Sequence, residues 1–336
     1  MNFLTALKPI YLAGPYSALP SNVMSNQDVL NWMGSDQNPA VVGFSTGIRN
    51  RRWVNADQAC SDLAVEASEA LFKQIPAVKT TISQVILATI SGDYVSPPTS
   101  PLVQHRLGLQ NTGAFDVGAA CAGFVVGLHT AAAFAQSCPG AVLLIASEIR
   151  SKFLNKNNFA TSVLFGDGAA ACTVSADVNN GDFLFLASAL FADGEVSDTV
   201  STPAGGSRIP ASQCTNPEQH FITIKESTAL FVKAVHGMVD SAQLFLKELQ
   251  LSAQDIQWLV PHQGNKNLVL SVAKQLGFNE AQVVKTVEET GNTSGSSVGI
   301  ALAHLREQVA IKAKDKVLLV AAGGGGIAAC ALLEVI

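Results

Sequence analysis

Residues 116–136 read DVGAACAGFVVGLHTAAAFAQ. Cys121 is flanked by Ala119, Ala120, Ala122 and Gly123, the smallest side chains there are, and the chain then runs into an apolar helical stretch. A strand-like run, AVLLIAS (141–147), follows. The same succession recurs near the other end. The polar loop ETGNTSGSSVG (289–299) opens a second helical stretch, which leads to KVLLVAAGGGG (316–326). Upstream of each loop the parallel continues. A helical segment from Gln58 leads to ISQVILATISG (82–92), and one from Glu226 leads to IQWLVPHQG (256–264). Each half therefore reads helix, strand, loop with a thiol or polar residue, helix, strand, which is the mark of a duplicated α/β unit. The turn-rich ADVNNGD (176–182) suits the boundary, giving halves 1–176 and 177–336.

Other elements fit this frame. VLFGDGAAACTV (163–174) and WLVPH (258–262) read as strands. NKNLVLSVAKQLG (265–277) reads as a helix. The C-terminal VLLVAAGGGGIAACALLEVI is long enough to raise a membrane span, but four consecutive glycines make it a poor helix. Two buried strands around a glycine turn fit better.

Composition narrows the function. At 336 residues, 48% hydrophobic and 14% charged, the chain has the makings of a large packed core and few solvated runs. A net charge of -5 implies no bulk attraction to nucleic acid or to an anionic membrane. The six cysteines show no CxxC pair and no metal-ligand spacing, so reduced thiols in a cytoplasmic protein are expected, with no metal. The segment MNFLTALKPIYLAG lacks the basic head and long apolar run of a signal peptide.

Three residues stand where a strand or loop gives way to a helix: Cys121, His262 and Asn292. A helix start offers unpaired N–H groups and partial positive charge, both of which favour a thiolate at Cys121. Small neighbours leave room for a carbonyl to approach the sulfur. Taken singly, each residue has a plainer reading. Cys121 suits a small buried hydrophobe, His262 a satisfied rim residue, and Asn292 a turn or helix cap.

Together the segments DVGAACAGF, VPHQGN, GNTSGSSV, FGDGAAA, STGIRNRRWV (from Ser45) and the tetraglycine Gly323–Gly326 carry a family pattern over nearly the whole chain. The chain resembles the β-ketoacyl-acyl carrier protein synthase III group of the thiolase-like condensing enzymes. The resemblance implies a five-layer α-β-α-β-α arrangement of two duplicated halves, usually as a homodimer. It implies that Cys121 is acylated by a primer thioester of coenzyme A or acyl carrier protein, with no bound cofactor. His262 and Asn292 would hold the thioester oxygen of a malonyl-type extender and stabilise the enolate left by decarboxylation. The backbone N–H groups of Cys121 and Gly325 would form the oxyanion hole.

Departures from the pattern bear on the substrate. A tryptophan and an arginine usually precede TGIR; here the residue before Thr46 is Ser45, and Trp32 lies further upstream. Phe159 stands where a second arginine is usual, before GDG. Ser96, with Tyr94 nearby, aligns with a phenylalanine that often closes the acyl pocket across the dimer. A roomier pocket around Ser96 and Phe159, and a longer or bulkier primer in specialised metabolism, are expected. Lys266 and Arg49, with Arg51 and Arg52, are candidates for meeting an acidic carrier protein or a phosphopantetheine phosphate; a solvated charged surface is the plain alternative.

Three other functions compete. Cys, His and Asn occur in this order in papain-like hydrolases, but the cysteine lies far from the start and no disulfide pattern accompanies it. A non-condensing acyltransferase on the same fold needs no enolate partner, and Asn292 argues against it. An inactive subunit of a ketosynthase heterodimer would be expected to lose the nucleophile, which is kept.

Overall fold

The structure, a computed structural model, describes residues 2–177, 181–196 and 198–336. Nine strands form its main sheet: β1 (Asn2–Ala18), β2 (Ile82–Ala88), β3 (Gly113–Val117), β4 (Ala141–Glu148), β5 (Gly168–Ser175), β6 (Phe183–Ala192), β7 (Trp258–Pro261), β8 (Lys316–Gly323) and β9 (Ile327–Val335). Their spatial order is β7-β8-β9-β6-β1-β5-β4-β2-β3.

The order contains a repeat. In the first five strands β2 is parallel to β3 and β4, while β4–β5 and β5–β1 are antiparallel. In the last four, β7 is parallel to β8, while β8–β9 and β9–β6 are antiparallel. Where the second set lacks a counterpart to β3, a single parallel bridge joins Leu259 to Val283. The connection between β5 and β6 spans 176–182, and residues 178–180 of the expected boundary lie outside the described residues.

Among the described residues ten α-helices accompany the sheet: α1 (Asn26–Met33), α2 (Pro39–Thr46), α3 (Cys60–Gln74), α4 (Ser100–Arg106), α5 (Gly123–Ser137), α6 (Phe159–Ser162), α7 (Ser227–Glu248), α8 (Lys266–Leu276), α9 (Val287–Thr290) and α10 (Ser297–Gln308). Three apolar clusters define the layers. One packs α3 residues Leu63, Ala67 and Leu71 on Val85, Leu143 and Ala171. A second packs Phe124 and Leu128 of α5 with Val298 and Leu302 of α10, between Ile86 and Leu144 on one side and Leu319 and Ala331 on the other. The third packs Met238 and Phe245 of α7 and Val269 of α8 on Leu318 and Leu332. Helix, sheet, helix, sheet, helix is thus the layer sequence, held by burial of nearly every alternate strand residue.

The sequence does not announce β1. Its seventeen residues run along both halves of the sheet. Leu4 and Thr5 pair with Ser188 and Ala187 on β6, and Tyr16 to Ala18 pair with Ala171 to Ala169 on β5. The two sheets are therefore one continuous ladder. The glycine-rich C-terminus forms the expected strand pair, with Gly323 opposite Ile327. The stretch Ala120–Ser137 and helix α7 are each long and apolar enough to cross a membrane by length and composition. In the fold, α5 lies between the two halves of the sheet and α7 sets Val235, Met238, Val239, Ala242 and Phe245 against it.

Candidate active site

Parallel strands bring their C-terminal ends to one edge, and loops there can converge. Strands β2, β3 and β4 end at Ala88, Val117 and Glu148; β7 and β8 end at Pro261 and Gly323. Cys121, Arg150, His262 and the glycine turn all follow these ends within a few residues.

Cys121 sits in a single 3-10 turn, Ala120–Ala122, that leads into α5. Asn292 is followed by the equivalent turn, Ser294–Ser296, which leads into α10. Each turn begins with a non-glycine residue in the left-handed region: Ala120 at φ 44 and Ser294 at φ 52. Such conformations cost on the order of 1–3 kcal/mol and persist where surroundings enforce them. Here the turns enforce each other. A Cβ added to Gly295 would stand 2.7 Å from the Ala120 carbonyl oxygen and 2.9 Å from Glu148 Oε1. Ser294 Oγ lies 3.7 Å from Cys121 Sγ.

The small residues around Cys121 answer a packing demand as well as access. A Cβ on Gly323 would stand 2.8 Å from the Cys121 nitrogen, so only glycine lets β8 pass this close. The backbone N–H of the next residue, Gly324, favours the ionised sulfur. Gly325, the expected oxyanion donor, follows one residue later in the turn at φ 89. The expectation of a ready thiolate is reversed. Burial pushes the Cys121 thiol above its ordinary range, outweighing Ser294, the positive charge of Arg150 and the Gly324 N–H.

His262 is buried directly after β7, and its N–H donates to the Val320 carbonyl at 2.8 Å. Its Nδ1 lies 2.7 Å from Ser297 Oγ. That hydroxyl oxygen also accepts the Gln263 N–H at 3.4 Å, and its own proton can go to Nδ1. In that arrangement Nε2 is the N–H of the ring. Burial pushes His262 down to about 4, so the ring is neutral at pH 7. Asn292 is held by backbone pairing, its N–H to Leu164 and its carbonyl to Gly166. Its Oδ1 accepts the Ser294 N–H at 2.9 Å, which leaves the amide NH2 to donate elsewhere. Turn 294–297 thus touches all three: Cys121 through Ser294, Asn292 through Ser294 and His262 through Ser297.

A buried acidic group lies behind Cys121. Glu148 accepts from Ser91 Oγ and from the backbone N–H groups of Ile90 and Gly295, and burial raises it to about 7. Neither Glu148 nor Arg150 was singled out by sequence. The segment SEIRSKF reads as an ordinary exit from a strand, and nothing in its spacing says that both charges turn inward.

Other expected residues stand further out. Arg49 pairs with Glu288 and Glu289, and Lys266 pairs with Glu288, so both cations meet the acidic helix α9. Arg51 is no surface group. It is fully buried, with Nη2 on the Val163 carbonyl at 2.6 Å and Nη1 on Asn26 Oδ1 at 2.8 Å, and burial lowers it to about 10. Arg52 donates to the Pro20 carbonyl. Phe159 packs in a cluster with Val29, Leu30, Val42 and Trp53 beneath α1 and α2. Trp32 lies edge-on to Trp53 with ring centroids 5.1 Å apart. Ser96 is exposed on the loop between β2 and α4, beside Tyr94 and Val95. Among the described residues, no group of three or more His, Cys, Asp or Glu could hold a metal ion.

A five-layer fold with a cysteine elbow facing a second elbow, and His and Asn donors around it, defines the thiolase-like class of acyl-transfer enzymes. Residues 115–194 match the model of 3-oxoacyl-[acyl-carrier-protein] synthase III, and residues 246–335 match that of its C-terminal region. The chain is 38% identical to the β-ketoacyl-[acyl-carrier-protein] synthase III of Chlamydia muridarum, over 93% of this chain and 95% of that one. It is 35% identical to the 3-oxopimeloyl-[acyl-carrier-protein] synthase of Rhodothermus marinus, over 96% and 92%. Among solved structures, the 3-oxoacyl-(acyl carrier protein) synthase III of Pseudomonas aeruginosa PAO1 superposes with a TM-score of 0.89 at 31% identity, covering 97% of this chain and 98% of that one. The chain belongs to the 3-oxoacyl-[acyl-carrier-protein] synthase III family.

Proposed function

We propose that the protein is a condensing transferase that joins an acyl group carried on Cys121 to the decarboxylated carbon of a malonyl-type thioester. The observation that carries this reading is the pair of neutral N–H donors, His262 Nε2 and the Asn292 amide, set by one turn beside the nucleophile. A hydrolase or simple acyltransferase needs an activated water or acceptor; two neutral donors suit an enolate oxygen.

In the first half-reaction Cys121 Sγ attacks the primer thioester. The new S–C bond replaces the old one, and the thiol proton ends on the departing coenzyme A or carrier thiol. The tetrahedral oxyanion would be held by the Cys121 N–H and by the Gly323–Gly326 turn. We place that second donor at Gly325, which stands at φ 89 in the turn beside Cys121. In the second half-reaction the extender loses carbon dioxide, and the electron pair of the broken C–C bond forms an enolate whose oxygen His262 and Asn292 hold. The enolate carbon attacks the acyl-cysteine, the new C–C bond forms, and the thiolate of Cys121 leaves and is reprotonated from solvent.

Acyl carrier protein and coenzyme A thioesters are the partners this reading requires, and the relatives' names carry acyl carrier protein. The primer need not be acetyl. Ser45 and Phe159, which stand where the family pattern has cations, supply none for a nucleotide, and Arg49 and Lys266 come already paired with acid. A bulkier primer fits this, and one relative in the family is named for a 3-oxopimeloyl product. We further infer a cytoplasmic homodimer built from halves 1–176 and 177–336. Strand β3 is a free sheet edge, and Ile90, Tyr94, Val95 and Leu102 are exposed on the adjoining loop and helix. A partner chain covering that face would bring its Ser96 loop toward a neighbour's pocket.

Intact-protein mass spectrometry with a panel of acyl thioesters, followed by a malonyl thioester, tests the reaction. Acyl mass on Cys121 and a product two carbons longer than the primer are expected. Hydrolysis of the acyl group with no C–C bond formed would overturn the reading.

A further inference from the structure

One buried charge near Cys121 has no work in these steps. Arg150 follows the end of β4 and is 6% exposed, with its guanidinium 5.8 Å from the ring centroids of Phe153 and of Phe165. Its Nε is buried without a hydrogen-bond partner, and among the described residues no carboxylate pairs with it.

Two acids stand near Arg150 in the fold, Glu148, which feels its charge, and Asp167, which accepts its backbone N–H, and both are satisfied by other donors. Glu148 takes Ser91, Ile90 and Gly295. Asp167 takes the N–H groups of Val54, Arg150 and Ser151 and the Ser151 hydroxyl. Nε therefore awaits an acceptor that the described residues do not supply, and no carboxylate among them closes on the rest of the fork. A cation held away from solvent without a counter-charge is unfavourable, and a bound anion would relieve that.

The position is inside the catalytic room. Phe165, under the guanidinium, is bridged through its backbone to Asn292, and the charge of Arg150 is felt at Cys121. A planar fork with aromatic faces beside it suits a carboxylate at the end of an aliphatic chain.

We propose that Arg150 binds the terminal carboxylate of the acyl group carried on Cys121, so that the primer is an ω-carboxyacyl thioester, the monothioester of a dicarboxylic acid. This rests on the condensing reading above. A carboxylate could also come from the malonyl extender. That carboxylate must leave as neutral carbon dioxide, and a guanidinium on it would stabilise the state before the reaction and slow it. The primer's carboxylate is spectator to both half-reactions, so holding it costs nothing in rate.

Glutaryl and pentanoyl pantetheine thioesters make the test, since each carries five carbons and they differ only in ending with carboxylate or methyl. Loading of Cys121 is followed by intact mass, without extender, in wild type, Arg150→Leu and Arg150→Lys. Wild type should load glutaryl roughly 10- to 100-fold faster than pentanoyl. Arg150→Leu should reverse the order and Arg150→Lys should keep part of the preference. Equal loading, or faster pentanoyl loading, in wild type overturns the proposal whatever the variants do. An unchanged ratio in Arg150→Leu with slower carbon dioxide release from malonyl thioester assigns the carboxylate to the extender and also overturns it. No loading by either probe or by acetyl thioester would sink the condensing reading itself.

Discussion

Ser297 Oγ lies 2.7 Å from His262 Nδ1, so the first residue of α10 sets which ring nitrogen of a histidine at the end of β7 carries the proton. Ser297→Ala should therefore lower condensation roughly tenfold, the loss expected of one hydrogen bond. Acyl loading of Cys121 should stay near wild type. Separate measurement of loading and of carbon dioxide release checks this, and a loss confined to loading would place Ser297 with the nucleophile instead.

The division of labour predicts a clean split among the three central residues. Cys121→Ala should abolish acyl loading while the fold persists, seen by circular dichroism. His262→Ala or Asn292→Ala should leave loading largely intact and slow decarboxylative condensation by about 10²–10³, as for other lost oxyanion donors.

The thiol's reactivity should follow its surroundings. Burial raises Cys121 above the ordinary thiol range, Glu148 adds to the rise and Arg150 opposes it. Alkylation by iodoacetamide should thus be slower at pH 7 than for free cysteine and keep increasing with pH into the alkaline range. Glu148→Gln should move that profile to lower pH and Arg150→Leu to higher pH. Identical profiles for all three proteins would remove both charges from the account.

Two buried groups pull the acid stability in opposite directions. His262 falls from 6.5 to about 4, so the unfolded chain gains a proton below 6.5 that the folded one refuses, and this stabilising contribution is lost as pH falls through 4. Glu148 rises from 4.5 to about 7, so its contribution is complete below 4.5 and is lost as pH rises through 7. Each is on the order of 3 kcal/mol. Between pH 4.5 and 6.5 they offset each other. Urea unfolding of Glu148→Gln should show stability climbing with pH across that window, and His262→Asn should show it declining.

Gly295→Ala should destabilise the protein by about 1–3 kcal/mol, because its Cβ meets the Ala120 carbonyl oxygen and Glu148 with no room to relax. Thermal unfolding measures the loss. Loading of Cys121 should drop with it, since Ala120 sets the elbow.

Much of this site is legible in the sequence. DVGAACAGF, VPHQGN and GNTSGSSV each mark a loop-to-helix corner, and helix and strand periods around them reveal the repeated unit. What escaped depends on contacts far apart in the chain. Arg49 and Glu289 lie 240 residues apart, so their pairing leaves no local trace. Arg51 and Arg52 are neighbours with similar chemistry, yet Arg51 alone is fully buried, because alternate strand residues face opposite ways. Arg150 follows a strand end with no local pattern to mark it as buried. Only the fold shows that the acids near it are spoken for. The thiolate expectation failed for a related reason: helix-start polarity is local, while desolvation depends on everything packed around the turn.

The long first strand has a consequence for how the molecule can come apart. Because β1 hydrogen-bonds to β5 along its later residues and to β6 along its earlier ones, neither copy of the repeated unit owns a complete sheet. A chain severed between β5 and β6 would leave one fragment with half a strand unpaired and the other with a bare edge, each open to aggregation. An ancestral single unit would have had to close that edge with a second copy of itself. In this chain the two units form one obligate pair on a single thread, and the facing elbows inherit their alignment from that seam.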